Sequence, residues 1–282
     1  MVYYDDMSHE LLSPTQDIVF KSIFGDRKNA DILANLLSTI LPLTEEECSS
    51  LSFVDTHQNP LTEDGKLAIL DVKVVTKEGK TIDIEIQVYQ VKAMRARILY
   101  YGAGMITEQL KSSDRYSEIK PVVCIVISAF DMIPEETDFH NKYNIANEKS
   151  HNIFSPLFEI HTIELPKIPK DGLLGKDVAL GYWVSFLGAK TKEELDMLAQ
   201  HNPMIKKAVG VLVHLSADEQ FRMQAAARDK AMRDYNTLMG EARAEGIEEG
   251  IEKGAQIKQD EFMNLLDSGK SIEEIKNFYK NH

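Results

Sequence analysis

The sequence is poor in the features that mark membrane, secreted or metal-stapled proteins. Its longest purely apolar stretches, such as VVCIVI from Val122, fall far short of the roughly 20 residues a membrane-spanning helix needs. The stretch MVYYDDMSHE at the start has neither a basic region nor an apolar core of the secretory kind, so a cytoplasmic location is expected. Only two cysteines occur in 282 residues, which excludes a disulfide framework; Cys124 lies inside an apolar run and reads as a small buried hydrophobe, and Cys48 has no evident role. None of the eight histidines stands at a metal-ligand spacing such as HxxxH, and no CxxC pair occurs, which argues against a structural zinc site. Basic residues are in deficit, 32 against 45 acidic ones, for a net charge of -13. A field of that sign repels a generic polyanion, so any nucleic-acid contact has to be local.

What is present fits a soluble globular protein: 43% apolar and 27% charged residues, in a chain long enough to bury a sizeable core. After SPTQ, the spacing of Phe20, Ile23, Phe24, Ile32, Leu36 and Ile40 predicts one helix over residues 17–41, ended by Pro42. SLSFVDT, KLAILDVKVVT and KTIDIEIQVYQ then read as strands, the last two joined by KEG. A helix over 92–111 follows. The run KPVVCIVISAF has the pattern of a strand covered on both faces, and FEIHTIELP is a further extended segment stopping at Pro166. This order is a mixed α/β plan. We divide it into a core over 10–170, a helical subdomain over 171–216, and a C-terminal long acidic helix with a short helical tail over 217–282.

In the long helix Gly246, Gly250 and Gly254 recur every four residues on one face. Each costs about 1 kcal/mol relative to alanine. Close helix-to-helix approach in a homo-oligomer would account for them; a solvated, frayed acidic helix is the alternative. In the tail, Ser271 with Glu274 three residues on forms a capping box around a short helix, compatible with a miniature helix-turn-helix or with ordinary capped helices.

The central feature is TIDIEIQ, whose polar face carries Asp83, Glu85 and Gln87, with Asp71 in the strand before it. A two-residue loop at Glu78-Gly79 would put Asp71 and Glu85 on opposite faces. A three-residue loop, Lys77-Glu78-Gly79, with glycine left-handed at a bulge, pairs Asp71 with Glu85 and Lys73 with Asp83. The second register sorts Leu70, Val72 and Val74 with Ile82, Ile84 and Ile86 on an apolar side, and is preferred. Carboxylates opposed at ~4.5–5.5 Å between β-carbons repel unless a cation lies between them. Magnesium suits such a place, because it takes one or two carboxylates, waters and phosphate oxygens. A wet polar face, with Lys73 and Asp83 as a plain cross-strand pair, is the other reading. Lys92, Arg95 and Arg97 with Tyr100 and Tyr101 form a local basic and aromatic stretch able to hold phosphates; a solvated helix with tyrosines packed on the sheet is its bland counterpart.

With these residues in view, the chain resembles the Rpn family of recombination-promoting nucleases and transposase-like proteins, within the PD-(D/E)XK superfamily. The resemblance runs through DIVFKSIFG, LDVKVVTKEGKTIDIEIQV, RILYYGAGMITEQLKSSDRYSEIKPVV, HTIELPK, NPMIKKAV and the glycine-punctuated acidic helix. It implies a restriction-endonuclease-like mixed sheet flanked by helices, and a metal-dependent DNA endonuclease using Mg²⁺ or Mn²⁺ in recombination or transposition. A nuclease-fold DNA-binding or oligomeric accessory protein whose catalysis has lapsed is the alternative. By resemblance Asp71 and Glu85 are the motif acids, and Asp17 on the first helix adds an acidic ligand; Asp17 also fits as a dipole-favoured helix start or a partner of Lys21. The motif lysine falls on Gln87, which can hydrogen-bond a water but brings no charge. Lys73 is a possible surrogate charge. Contacts to DNA are expected from Lys21, Lys73, Lys92, Arg95, Arg97 and Tyr100.

Overall fold

A computed structural model describes residues 11–54, 72–90, 93–169 and 177–280. Two compact units result, Met1–Ala225 and Ala226–His282. In the first, α1 (Asp17–Phe24), α2 (Ala30–Ile40) and α3 (Glu45–Ser49) precede strands β1 (Ser52–Val54), β2 (Val72–Val75) and β3 (Thr81–Gln87). Helix α4 (Met94–Thr107) leads to β4 (Val122–Ser128), β5 (His140–Asn144) and β6 (Phe158–Glu164). Helices α5 (Asp177–Gly188), α6 (Lys192–His201) and α7 (Pro203–Ala217) follow, then α8 (Glu219–Asp267) and α9 (Ile272–Lys280).

The strands form one six-stranded sheet in the order β1-β2-β3-β4-β6-β5. The first three are antiparallel, β3, β4 and β6 run parallel, and β5 closes the far edge antiparallel to β6. A mixed sheet of this kind puts helices on both faces, and β4 is buried along its whole length, as its apolar run requires. One face is packed by Val72, Val74, Ile82, Ile84, Ile86, Val123, Ile125 and Ile127 against Phe20, Phe24, Leu33, Leu37, Trp183 and Leu212 of α1, α2, α5 and α7. Trp183, fully buried, gives its indole N–H to Asn35 Oδ1 at 3.1 Å. On the other face Val122, Cys124 and Val126 meet Met94, Ile98 and Met105 of α4.

The predicted helix over 17–41 is instead two helices. The N–H of Gly25 closes α1 on Lys21 O, and the Asp26 side chain accepts from Lys28 N, capping a short 3₁₀ turn at Arg27–Asn29 before α2 begins. A glycine followed by an aspartate offers the backbone a local bond that competes with helix continuation. The helices expected within 177–217 form, but α5 and α7 share the apolar cluster of the sheet rather than a core of their own.

In the second unit the C-terminal part of α8 ends in a Schellman turn. Gly269 has φ +82°, its N–H bonds Leu266 O, and Lys270 N bonds Leu265 O. The capping box then starts α9: Glu274 N donates to Ser271 Oγ, while Glu274 Oε2 accepts from Ser271 N. Ile275 is buried, and Tyr279 gives its hydroxyl to Lys258 O and Glu261 Oε2, both at 3.3 Å, tying α9 back to α8.

Candidate active site

The β2–β3 hairpin has the bulged three-residue connection. Thr76 N bonds Lys80 O, Gly79 N bonds Thr76 O, and Gly79 sits at φ +90°. A side chain there would be strained by φ and would also meet Lys120 Cγ at 2.9 Å. The register follows: Lys73 lies opposite Asp83, Val74 opposite Ile82 and Val75 opposite Thr81. Asp71 and Lys92 lie outside the described residues. Asp71 directly precedes Val72, which pairs with Ile84.

Strand alternation turns Asp83, Glu85 and Gln87 to the α4 face. Asp83 and Glu85 are each 3% exposed, so the wet-face reading fails for both. Burying a carboxylate is costly unless it is paired. For Glu85 the partners are Arg97 on α4, whose Nη2 is 3.0 Å from Oε2, and Gln87, whose Nε2 is 3.2 Å from the same oxygen. Arg97 lies over the Tyr101 ring, 5.6 Å from its centroid, and Tyr101 packs edge-on against the exposed Tyr100. Asp83 pairs with Cys124 in the β3–β4 register. Burial, reinforced by the charges of Asp83 and Glu85, pushes the Cys124 thiol far above its ordinary range, so this cysteine is an inert wall of the site. Burial also raises Tyr101, with Arg97 opposing.

The other predicted residues are spread more widely. Lys73 is on this face, but its ammonium lies 3.6 Å from Glu108, so the cation at Glu85 is Arg97 rather than Lys73. Arg95 is paired with Glu135 at 2.6 Å. Asp17 opens α1, which packs on the opposite face of the sheet, and its Oδ1 accepts from Ile18 N. Lys21, one turn further, lines a groove with Lys28, Lys207 and His214 between α1 and α7. At the carboxyl ends of the parallel strands, Gln87, Ser128 and Glu164 occupy one row. Sequence reasoning missed Glu164, because a strand ending in Glu before Leu-Pro looks like a solvated end.

The oxygens of Asp83, Glu85 and Gln87 are hard donors of the kind magnesium and manganese take. Among the described residues no group of three or more His, Cys, Asp or Glu side chains is placed to hold an ion. Among the described residues, Glu85 is the motif acid placed on this strand that could contribute such an oxygen.

Helices, three antiparallel strands, a helix and a strand parallel to the third, with buried acids on that third strand, define a restriction-endonuclease-like nuclease core. The chain belongs to the PD-(D/E)XK nuclease family transposases, whose model matches residues 14–242. Neither curated proteins nor solved structures give a significant match. A nuclease- or transposase-related function follows from the family. Among the described residues no helix is long and apolar enough to cross a membrane.

Proposed function

We propose that the protein is a metal-dependent DNA endonuclease that hydrolyses phosphodiester bonds during recombination or transposition in the cytoplasm. The observation that carries this reading is Glu85, 3% exposed on β3 and contacted at Oε2 by both Arg97 and Gln87. A buried acid on the strand that carries the motif is a hard oxygen donor of the kind a divalent cation takes. Glu85 and Asp71 would hold Mg²⁺ or Mn²⁺; Asp17, expected as a further acidic ligand, starts a helix packed on the other face of the sheet and is not placed to join them. The bound ion supplies a water of lowered pKa and offsets charge on the phosphate. Gln87 orients that water, while Lys21, Lys73, Lys92, Arg95, Arg97 and Tyr100 hold the DNA backbone.

Supercoiled plasmid tests it. Nicking by the wild type in Mg²⁺ or Mn²⁺ is expected to stop in EDTA and in Asp71→Ala and Glu85→Ala; equal nicking by all three proteins rules the site out. The lapsed-nuclease reading has one specific support, the absence of a lysine where Gln87 spends its amide on Glu85. It requires metal-independent DNA binding without nicking in this assay.

The protein self-associates through α8. Gly246, Gly250 and Gly254 are exposed, and a β-carbon at each would meet nothing within 4 Å among the described residues beyond the adjoining backbone of its own helix. Met232, Tyr235, Met239 and Ile257, also exposed, continue the same helical stripe. In light scattering of the full chain, Gly246→Glu with Gly250→Glu is expected to halve the mass. A wild type already monomeric at tens of micromolar, or an unchanged mass in the variant, removes this assembly.

A further inference from the structure

Gln87 leaves a charge missing from the site. By resemblance the motif lysine falls on Gln87, so the side chain at that position brings no positive charge. Lys73, the nearest lysine on the strand face, has its ammonium beside Glu108.

Arg97 has the properties the position lacks. It comes from the end of the first turn of α4, and one of its terminal nitrogens bonds Glu85 Oε2 at 3.0 Å. A guanidinium carries five N–H donors in a flat fork, so one bond to Glu85 leaves others free to serve a second anion. Arg97 Nε is buried and has no hydrogen-bond partner among the described residues. A buried N–H without an acceptor is a cost that a bound oxygen would remove. The ring of Tyr101 lies under the guanidinium at 5.6 Å and holds its plane. The side chain is still one-third exposed, so the fork is open to solvent and to substrate while Glu85 at its other end is not.

We propose that Arg97 is the phosphate-binding cation of this site, taking the place of the motif lysine missing at position 87: it holds Glu85 with one N–H and offers the rest of its fork to a non-bridging oxygen of the DNA backbone at the scissile position. This rests on the nuclease reading for the identity of the substrate, and no bond is made or broken at Arg97 itself.

The test is the salt dependence of DNA binding, which reads phosphate contacts whether or not cleavage occurs. A short labelled duplex is titrated by anisotropy in Ca²⁺ at several salt concentrations. Because Arg97→Gln alone would strand the buried Glu85, the comparison is made between Glu85→Gln and Glu85→Gln with Arg97→Gln, where the pair is neutral in the second protein. Loss of one phosphate contact is expected to flatten the slope of log K against log salt by about 0.9. Adding Gln87→Lys to the double variant is expected to restore it. Equal slopes in the first two proteins, no restoration by lysine at 87, or no DNA binding by the wild type overturns the assignment. The nuclease reading fails separately, on the plasmid assay with Glu85→Ala.

Discussion

Glu164→Ala is expected to lower folding stability by about 3–5 kcal/mol, the range for breaking a buried charged pair from one side. Glu164 ends β6 with no exposed surface. Its Oε2 accepts from Met132 N at 2.7 Å and Ile133 N at 3.1 Å, and from Lys167 Nζ at 2.9 Å. Lys167 in turn holds Ile133 O at 2.7 Å and Asp131 at 3.0 Å. One carboxylate thus satisfies two buried amides and an almost buried ammonium, and alanine leaves all three without it. Glu164→Gln keeps an acceptor but not the charge and should lose less. Denaturant unfolding is the measurement: the midpoint moves down with an unchanged slope, and the amides of Met132 and Ile133 exchange faster. A midpoint equal to that of the wild type would show that the loop after β4 is held by other contacts.

That anchor was not legible in the sequence, and the reason is general. Register and strand identity were legible because they rest on local rules: a glycine at the left-handed position and a two-residue alternation fix which side chains share a face. Gly79 and the sorting of Val72 and Val74 with Ile82 and Ile84 obey both. What a face is buried against is decided by segments far away in the chain. TIDIEIQ reads as half-buried, yet α4 covers its polar side, and Asp83 and Glu85 end up as enclosed as the isoleucines. Arg97 stood out as a phosphate contact by its basic neighbours; that it reaches Glu85 depends on how α4 crosses the sheet.

Strand β5 was missed for a related reason. HNKYN has no alternation of apolar residues, since an edge strand packs on one neighbour and can carry polar side chains. It is held by its ladder to β6 and by His140, which hydrogen-bonds His161 at 2.9 Å. His161 is buried, and burial holds its imidazole below the ordinary histidine value. The break between α1 and α2 had a visible signal in Gly25-Asp26, outweighed by an apolar spacing that continues on both sides of it. Asp71, which the proposed site includes, falls outside the described residues.

How α4 approaches the sheet can be tested at Gly102. Alanine in a helix is ordinarily better than glycine by about 1 kcal/mol, and at Gly210 of α7, where a β-carbon would meet nothing within 4 Å, Gly210→Ala should show that gain. At Gly102 the sign is reversed. A β-carbon there would lie 2.2 Å from Phe158 Cε2, 2.4 Å from Cζ and 3.1 Å from Cys124 Sγ. These are contacts with a ring and a buried strand side chain, neither of which can swing aside as a lysine tip does. Overpacking of this kind costs roughly 1–3 kcal/mol, so Gly102→Ala should destabilise by about that amount. Removing the ring should recover most of it: Gly102→Ala with Phe158→Ala is expected to show a favourable coupling of about 1–3 kcal/mol in a double-mutant cycle. Additive effects would mean that α4 does not rest on Phe158. The same substitution bears on the site, because Arg97 lies five residues before Gly102 on one rigid helix. A helix pushed off the sheet lengthens the Arg97–Glu85 contact, so under the proposed nuclease function plasmid nicking should fall in Gly102→Ala and return in the double variant, following the helix position instead of overall stability.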